Sequence, residues 1–289
     1  MKNKRIALIA PSRGVNREKL DMVISRLNDI GFLDIVYRDN ILKNDLGYWS
    51  GSVEERSGNI NDYFISEDVD IIWAISGGDT SIEILPYIDY HMIKDSDKIF
   101  IGYSDVTAVQ LALNKKSGIK TIQFHMPGSI DWISYDEEMP LFMKVINGEG
   151  YDIDIDDNQI LYDGNEKSVL VGGCLSVICS TLGTDYDIDT DGKILYLEDV
   201  NERPQKLYSY LCALELAGKF ENIKGLIFSK MKNSGDYLPF LEKFCHRLKS
   251  KNIPIIFDIR AGHDDFKIPM VIGGNYIIDT YSKKISFIS

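Results

Sequence analysis

No apolar run in this 289-residue sequence comes near the roughly twenty residues that a membrane-spanning helix requires, so no helical membrane span is expected. A basic surplus is also missing. Lys and Arg total 32 against 44 Asp and Glu, a formal charge of −12, and neither nucleic acid nor an anionic membrane is expected as a partner. The four cysteines, Cys174, Cys179, Cys212 and Cys245, form no C-x-x-C pair and sit among apolar residues. That pattern predicts reduced core thiols in a cytoplasmic protein. Neither H-E-x-x-H nor a Cys/His cluster occurs, so no zinc site is expected. G-x-G-x-x-G and P-loop motifs are absent too, which removes the usual support for a dinucleotide or ATP cofactor. Repeats and low-complexity segments are lacking. Met1–Arg5 has the charge of a signal peptide's opening, but the apolar stretch Ile6–Ala10 stops at Pro11 and is too short for one.

What is present is alternation. Arg5–Ala10 reads as a strand and Arg17–Ile30 as a helix, with Leu20, Val23, Ile24, Leu27 and Ile30 at helical spacing. Leu33–Tyr37 is a second strand. A polar loop, Asn40–Gly51, carries Tyr48 and Trp49, and Ser52–Phe64 is a helix opened by the capping box Ser52/Glu55. Val69–Ile75 is a near-continuous apolar strand, the pattern of a strand buried on both faces. Ser76-Gly77-Gly78-Asp79-Thr80 then turns into a helix over Ser81–Tyr87. A fourth strand runs into Gly102, a helix covers Asp105–Lys116, and Lys120–Phe124 is a fifth strand. Five such alternations predict an α/β protein whose N-terminal part is a doubly wound parallel sheet. Ser12, Gly77, Gly78 and Ser104 would share its carboxyl edge. The rhythm breaks near residue 130. Short strands are expected at Tyr151–Ile155, Ser168–Val171, Lys193–Leu197, Gly225–Phe228, Pro254–Asp258, Ile268–Ile272, Tyr276–Asp279 and Lys284–Ile288, with helices at Pro204–Ala217 and Tyr237–Leu248. The expected organisation is an N-terminal α/β domain over residues 1–128, a linker over 129–165, and a C-terminal strand-rich mixed α/β domain over 166–289.

Ser104 falls at a strand-to-helix bend, Phe100-Ile101-Gly102-Tyr103-Ser104-Asp105-Val106. A serine there can be a helix cap, or a nucleophile beside the unpaired N–H groups of the helix's first turn. Gly77-Gly78 can let backbone N–H groups approach an anion, or can make a tight turn. Asp187-x-Asp189-x-Asp191-Gly192 followed by Glu198 fits a calcium-loop expression, but Lys193–Leu197 reads as a strand where an exiting helix is needed. The preferred reading is a polar turn before a strand ending at Glu198. Among the histidines, His91 and His246 look peripheral, His125 ends the fifth strand with a cleft-facing position in reach, and His263 sits in a loop between strands. The order Ser104, Glu198, His263 is that of α/β-hydrolase triads, although Val106 stands where G-x-S-x-G has its second glycine.

Several motifs together carry a resemblance. Gly77-Gly78, Leu85-Pro86-Tyr87-Ile88-Asp89-Tyr90, Gly102-Tyr103-Ser104-Asp105-Val106-Thr107, Gly172-Gly173, Leu182-Gly183-Thr184, Gly192–Asp199 and Gly262-His263 resemble the LD-carboxypeptidase family of serine peptidases, which also contains the microcin C immunity hydrolases. The resemblance implies a cytoplasmic, homodimeric, metal-independent hydrolase acting on a small peptide or peptidyl-nucleotide substrate. Its triad would fall on Ser104, Glu198 and His263, and its oxyanion hole on the backbone N–H groups of Gly78 and Asp105. Gly77, Asp79, Ser12, Arg203 and Lys206 are the substrate-binding candidates, the last two as carboxylate partners. Departures touch specificity. Ser76 replaces the arginine that peptidoglycan-recycling members usually carry before the glycine pair, Asp79-Thr80 replaces Tyr-Gly, and Cys174 replaces asparagine after Gly172-Gly173. The Leu85–Tyr90 run and Ser117-Gly118-Ile119 look closer to the immunity branch. The leading expectation is an LD-carboxypeptidase acting on murein tetrapeptide in peptidoglycan recycling. A microcin immunity-type hydrolase, with Tyr48, Trp49 and Trp132 as stacking platforms, is the second, and a calcium-regulated or peptide-binding module the third.

Overall fold

The computed structural model describes residues 4–94, 96–129 and 137–289. The chain divides into two compact units, residues 1–132 and 133–289. Trp132 lies outside the described residues. Among them, no helix is long and apolar enough to cross a membrane.

In the first unit the elements are β1 (Arg5–Ile9), α1 (Arg17–Asp29), β2 (Asp34–Tyr37), α2 (Val53–Ile65), β3 (Ile71–Ala74), α3 (Tyr90–Ile93), β4 (Ile99–Gly102), α4 (Thr107–Ser117) and β5 (Thr121–Gln123). The strands lie in the order β5-β4-β3-β1-β2, all parallel. β3 is buried at every residue and β1 at all but its first, which explains their unbroken apolar sequences. Because the chain runs outward from β1 to β2 and returns to β3 on the other side of β1, the winding reverses between β1 and β3. Loops leaving the carboxyl ends of these two strands therefore flank a crevice where open α/β sheets bind ligands. Asn16 caps α1 by accepting the Lys19 N–H at 2.8 Å, and the Ser52/Glu55 capping box opens α2. Two expected helices differ in detail. Ser81–Tyr87 is a 3-10 helix containing Pro86, and Ser104–Val106 is a 3-10 turn ahead of α4. In the first, proline removes the donor that an α-helical ladder needs.

The second unit contains α5 (Glu138–Ile146), β6 (Tyr151–Asp154), β7 (Ile160–Tyr162), β8 (Asn165–Cys174), α6 (Leu175–Ser180), β9 (Ile194–Val200), α7 (Pro204–Leu216), β10 (Gly225–Lys232), α8 (Leu238–Cys245), β11 (Ile255–Ile259), β12 (Met270–Ile272), β13 (Asn275–Asp279) and β14 (Lys284–Ile288). An eight-stranded sheet runs β6-β14-β13-β8-β9-β10-β11-β7. Its centre, β8 to β11, is parallel, and the remaining strands join antiparallel. The segment expected as a linker is thus largely structural: β6 and β7 form the two edges of this sheet. β6 alternates buried Tyr151 and Ile153 with exposed Asp152 and Asp154, as suits a strand with one wet face. The calcium-loop expression lands on a different architecture. Its acidic side chains are engaged by Lys219 on Asp187 (2.7 Å), Lys193 on Asp189, and Asn222 on Asp191 (2.8 Å), and the following residues form β9. Glu198 stands inside that strand, not at its end.

Candidate active site

Ser104 occupies the strand-to-helix bend at φ 62°, a left-handed conformation that side chains other than glycine rarely adopt. The bend is short because β4 stops at Gly102 and a 3-10 turn begins at once. The first hydrogen bond of that turn joins the Val106 N–H to the Tyr103 carbonyl at 3.3 Å. The Asp105 N–H precedes it and so is one of the turn's orphan donors. The Asp105 side chain is spoken for: its carboxylate accepts the Ser81 N–H at 3.1 Å, and its carbonyl accepts the Ser81 hydroxyl at 2.6 Å. Burial pushes the Asp105 carboxyl above its ordinary range.

The loop after β3 passes beside this serine. A Cβ built on Gly77 would stand 3.4 Å from the Ser104 Oγ, and one on Gly78 would fall 2.7 Å from the Ser12 Cβ and 2.8 Å from the Tyr48 hydroxyl, so Gly78 has no room for a side chain. Ser12, expected against the substrate, is buried beneath this loop instead. It accepts the Asp79 and Thr80 N–H groups (3.3 and 3.1 Å) and pairs with the Thr80 hydroxyl at 2.8 Å. Tyr48 donates to Asp79 at 2.8 Å and the Trp49 indole donates to Thr80 at 3.1 Å, pinning the Asn40–Gly51 loop to the same turn. A cavity of about 390 Å³ opens over Ser104, walled by Gly77, Gly78, Asp79 and Tyr103 and, unforeseen from sequence, by Arg13 and Lys19. His125 is not cleft-facing. It is fully buried, with its carbonyl accepting the Trp73 indole at 2.8 Å.

In the second unit Glu198 and His263, 65 residues apart in sequence, meet. The His263 Nδ1 lies 2.5 Å from the Glu198 Oε2, and the His263 backbone N–H donates to the same oxygen at 3.2 Å. Glu198 is fully buried in β9, while the His263 side chain keeps 12% of its exposure. Gly262 brings the loop over the carboxylate. Its φ is 66°, and an added Cβ would sit 2.7 Å from the Glu198 Cδ and Oε2. Gly262→Ala is therefore expected to destabilise the protein by about 3 kcal/mol, combining backbone strain with overpacking, and the fall of the urea midpoint measures it.

Asp199, next in β9, holds the start of α6 by accepting the Ser176 N–H at 2.8 Å. Burial, then the adjacent Glu198 charge, push its carboxyl up to about 6. The folded protein thus keeps this proton at pH values where the unfolded chain, near 3.9, has released it. Stability must fall as pH rises from about 4 to about 6, by up to ~3 kcal/mol from this group alone. Urea titrations at successive pH values should show that slope in the wild type and its loss in Asp199→Asn. Burial also raises the Cys174 and Cys245 thiols well above their ordinary range, so they remain protonated core groups.

Arg203 and Lys206 have structural places in the second unit. The Arg203 carbonyl accepts the Lys206 and Leu207 N–H groups (2.8 and 3.1 Å) where α7 begins, and the Lys206 ammonium lies 4.6 Å from the Tyr210 ring centre. Among the described residues no group of three or more His, Cys, Asp or Glu side chains is placed to hold a metal ion.

Comparison with known proteins assigns the chain to a class. The family model for the LD-carboxypeptidase N-terminal domain matches residues 6–124, and that for the LD-carboxypeptidase C-terminal domain matches residues 167–278. The chain belongs to the LD-carboxypeptidase family, a family of serine-type carboxypeptidases. Among relatives, a probable murein peptide carboxypeptidase of Bacillus subtilis is 30% identical, over 98% of this chain and 91% of its own length. Muramoyltetrapeptide carboxypeptidase from Oxalobacter formigenes superimposes with a TM-score of 0.83 at 25% identity, covering 98% of both chains. The structure of MccF in complex with glutamyl sulfamoyl guanosine gives a TM-score of 0.86 at 22% identity, over 100% of this chain and 97% of that one, and shares the fold.

Proposed function

We propose that this protein hydrolyses the amide bond preceding a C-terminal residue with a free carboxylate, as an LD-carboxypeptidase acting on murein tetrapeptide. Ser104 is the nucleophile, His263 the general base and Glu198 the group that orients the imidazole and stabilises its charged form. The observation that carries this reading is the 2.5 Å contact of the Glu198 Oε2 with the His263 Nδ1. It commits Nδ1 to the acid and makes Nε2 the basic nitrogen. That nitrogen takes the Ser104 proton as Oγ attacks the scissile carbonyl. The negative charge that develops on the carbonyl oxygen is met by the N–H groups of Gly78 and Asp105. His263 then protonates the departing amine, and water, activated by the same imidazole, frees the acyl group. The test is release of D-alanine from the tetrapeptide, with release expected from the wild type and none from Ser104→Ala. Intact tetrapeptide after prolonged incubation with the wild type would remove the substrate assignment.

A second reading is hydrolysis of an aminoacyl or peptidyl nucleotide. It is favoured by the Tyr48–Trp49 ring pair, with centroids 5.7 Å apart, on the loop tied to Asp79 and Thr80. Turnover of an aminoacyl sulfamoyl adenosine in place of the tetrapeptide would select it. The homodimer and the cytoplasmic location belong to the same proposal, and light scattering and cell fractionation check them.

A further inference from the structure

We propose that Arg13 and Lys19 form an anion subsite in the cavity over Ser104, taking the substrate's free carboxylate beside the bond to be cut. The inference rests on the hydrolase reading above and names the group that selects its substrate.

The protein is rich in acid, and several of its basic side chains find carboxylates: Arg5 meets Asp34 at 2.9 Å, Arg56 meets Glu83 at 2.5 Å and Lys219 meets Asp187 at 2.7 Å. Arg13 and Lys19 do not. Among the described residues neither side chain has a hydrogen-bond or ion-pair partner, yet both line the cavity that holds Ser104. Among the described residues the one carboxylate on that wall, Asp79, accepts the Tyr48 hydroxyl. Both cations are held in place from behind. The Arg13 carbonyl accepts the Ser76 hydroxyl at 3.1 Å, and its backbone bridges to Trp49. Lys19 stands in the first turn of α1, its Cε 3.1 Å from where a Cβ on Gly128 would lie. Burial, then the positive charges of Arg13 and Arg26, lower the affinity of Lys19 for its proton. Two cations lining one cavity with no counter-ion among the described residues are relieved by an incoming anion, and a charge-assisted contact to each gives direction as well as affinity. A carboxylate fits a substrate cut next to its terminus. A sulfamate or phosphate would satisfy the same cations, so the test separates them.

The full-length wild type, Arg13→Gln, Lys19→Met and the double variant are compared on murein tetrapeptide and on its C-terminal carboxamide. The readout is the ratio of kcat/KM for the acid to that for the amide. A wild-type preference of about 100-fold is expected, cut about 10-fold by each substitution and close to unity in the double variant. Calorimetric titration of D-alanine into Ser104→Ala protein gives a second readout without turnover, with binding lost when Arg13→Gln and Lys19→Met are added. Equal cleavage of acid and amide by the wild type, or an undiminished preference in the double variant, overturns the subsite while leaving the hydrolase intact. If the wild type cleaves neither peptide, the hydrolase reading falls and the subsite with it. Substitutions that slow only aminoacyl sulfamoyl adenosine turnover would overturn the carboxylate in favour of the sulfamate.

Discussion

Replacing Ser104 by glycine is expected to remove hydrolysis and, at the same time, to stabilise the protein. In the proposed mechanism the nucleophile and its base act as a unit, so losing the hydroxyl should lower kcat/KM by at least about 10⁴-fold. The gain in stability has a separate cause. At φ 62° a side chain pays a steric penalty of about 1–2 kcal/mol that glycine avoids, partly offset by glycine's greater freedom in the unfolded chain. A net gain of ~0.5–1 kcal/mol is expected for Ser104→Gly. Ser104→Ala keeps the Cβ, and should lose the same activity with no such gain. Urea denaturation and D-alanine release, measured on both variants, separate the chemical role from the conformational one. Appreciable turnover by Ser104→Ala would end the assignment of this residue.

Glu198→Gln is expected to lower kcat by about 10⁴-fold with the fold intact. The substitution barely changes the volume, but it removes the charge that, in the proposed mechanism, stabilises the imidazolium. It also lets an amide N–H₂ face His263 in place of the acceptor that fixes its tautomer. The side chain is fully buried, and among the described residues its Oε1 has no hydrogen-bond partner. A carboxylate so placed is costly to the folded state, so its neutralisation should not destabilise by more than about 1 kcal/mol. A further consequence distinguishes this variant from a merely inactive one. Glu198 is one of the two causes holding the Asp199 carboxyl near 6, and Glu198→Gln should bring that value down. The fall in stability between pH 4 and 6 would shrink accordingly. Full activity in Glu198→Gln would remove the residue from the mechanism.

The parts of the fold legible in the sequence are those where burial leaves a pattern. β1, β3 and β4 are apolar because both faces are covered, and α1 and α2 announce themselves by their caps. β7 and α6 escaped notice because three half-buried residues and six residues without a side-chain cap are too short for periodicity to show. The strand expected at Tyr151–Ile155 is β6, an edge strand whose alternation of buried and exposed residues made it legible. For the site, Ser104 is legible as a bend, whereas the meeting of Glu198 with His263 is a tertiary event that chain order suggests and the resemblance implies. Arg13 and Lys19 had no local signal at all, because a lone cation on a turn or a helix's polar face reads as solvated surface.

α4 is buried at every residue from Thr107 to Leu113. The bend that carries Ser104 is therefore anchored in one of the most tightly enclosed segments of its unit, not in a loosely held loop. Such an anchor cannot soften before the surrounding core does. Heat should thus abolish turnover and native structure over a single temperature interval, and the inactivation midpoint should coincide with the calorimetric one.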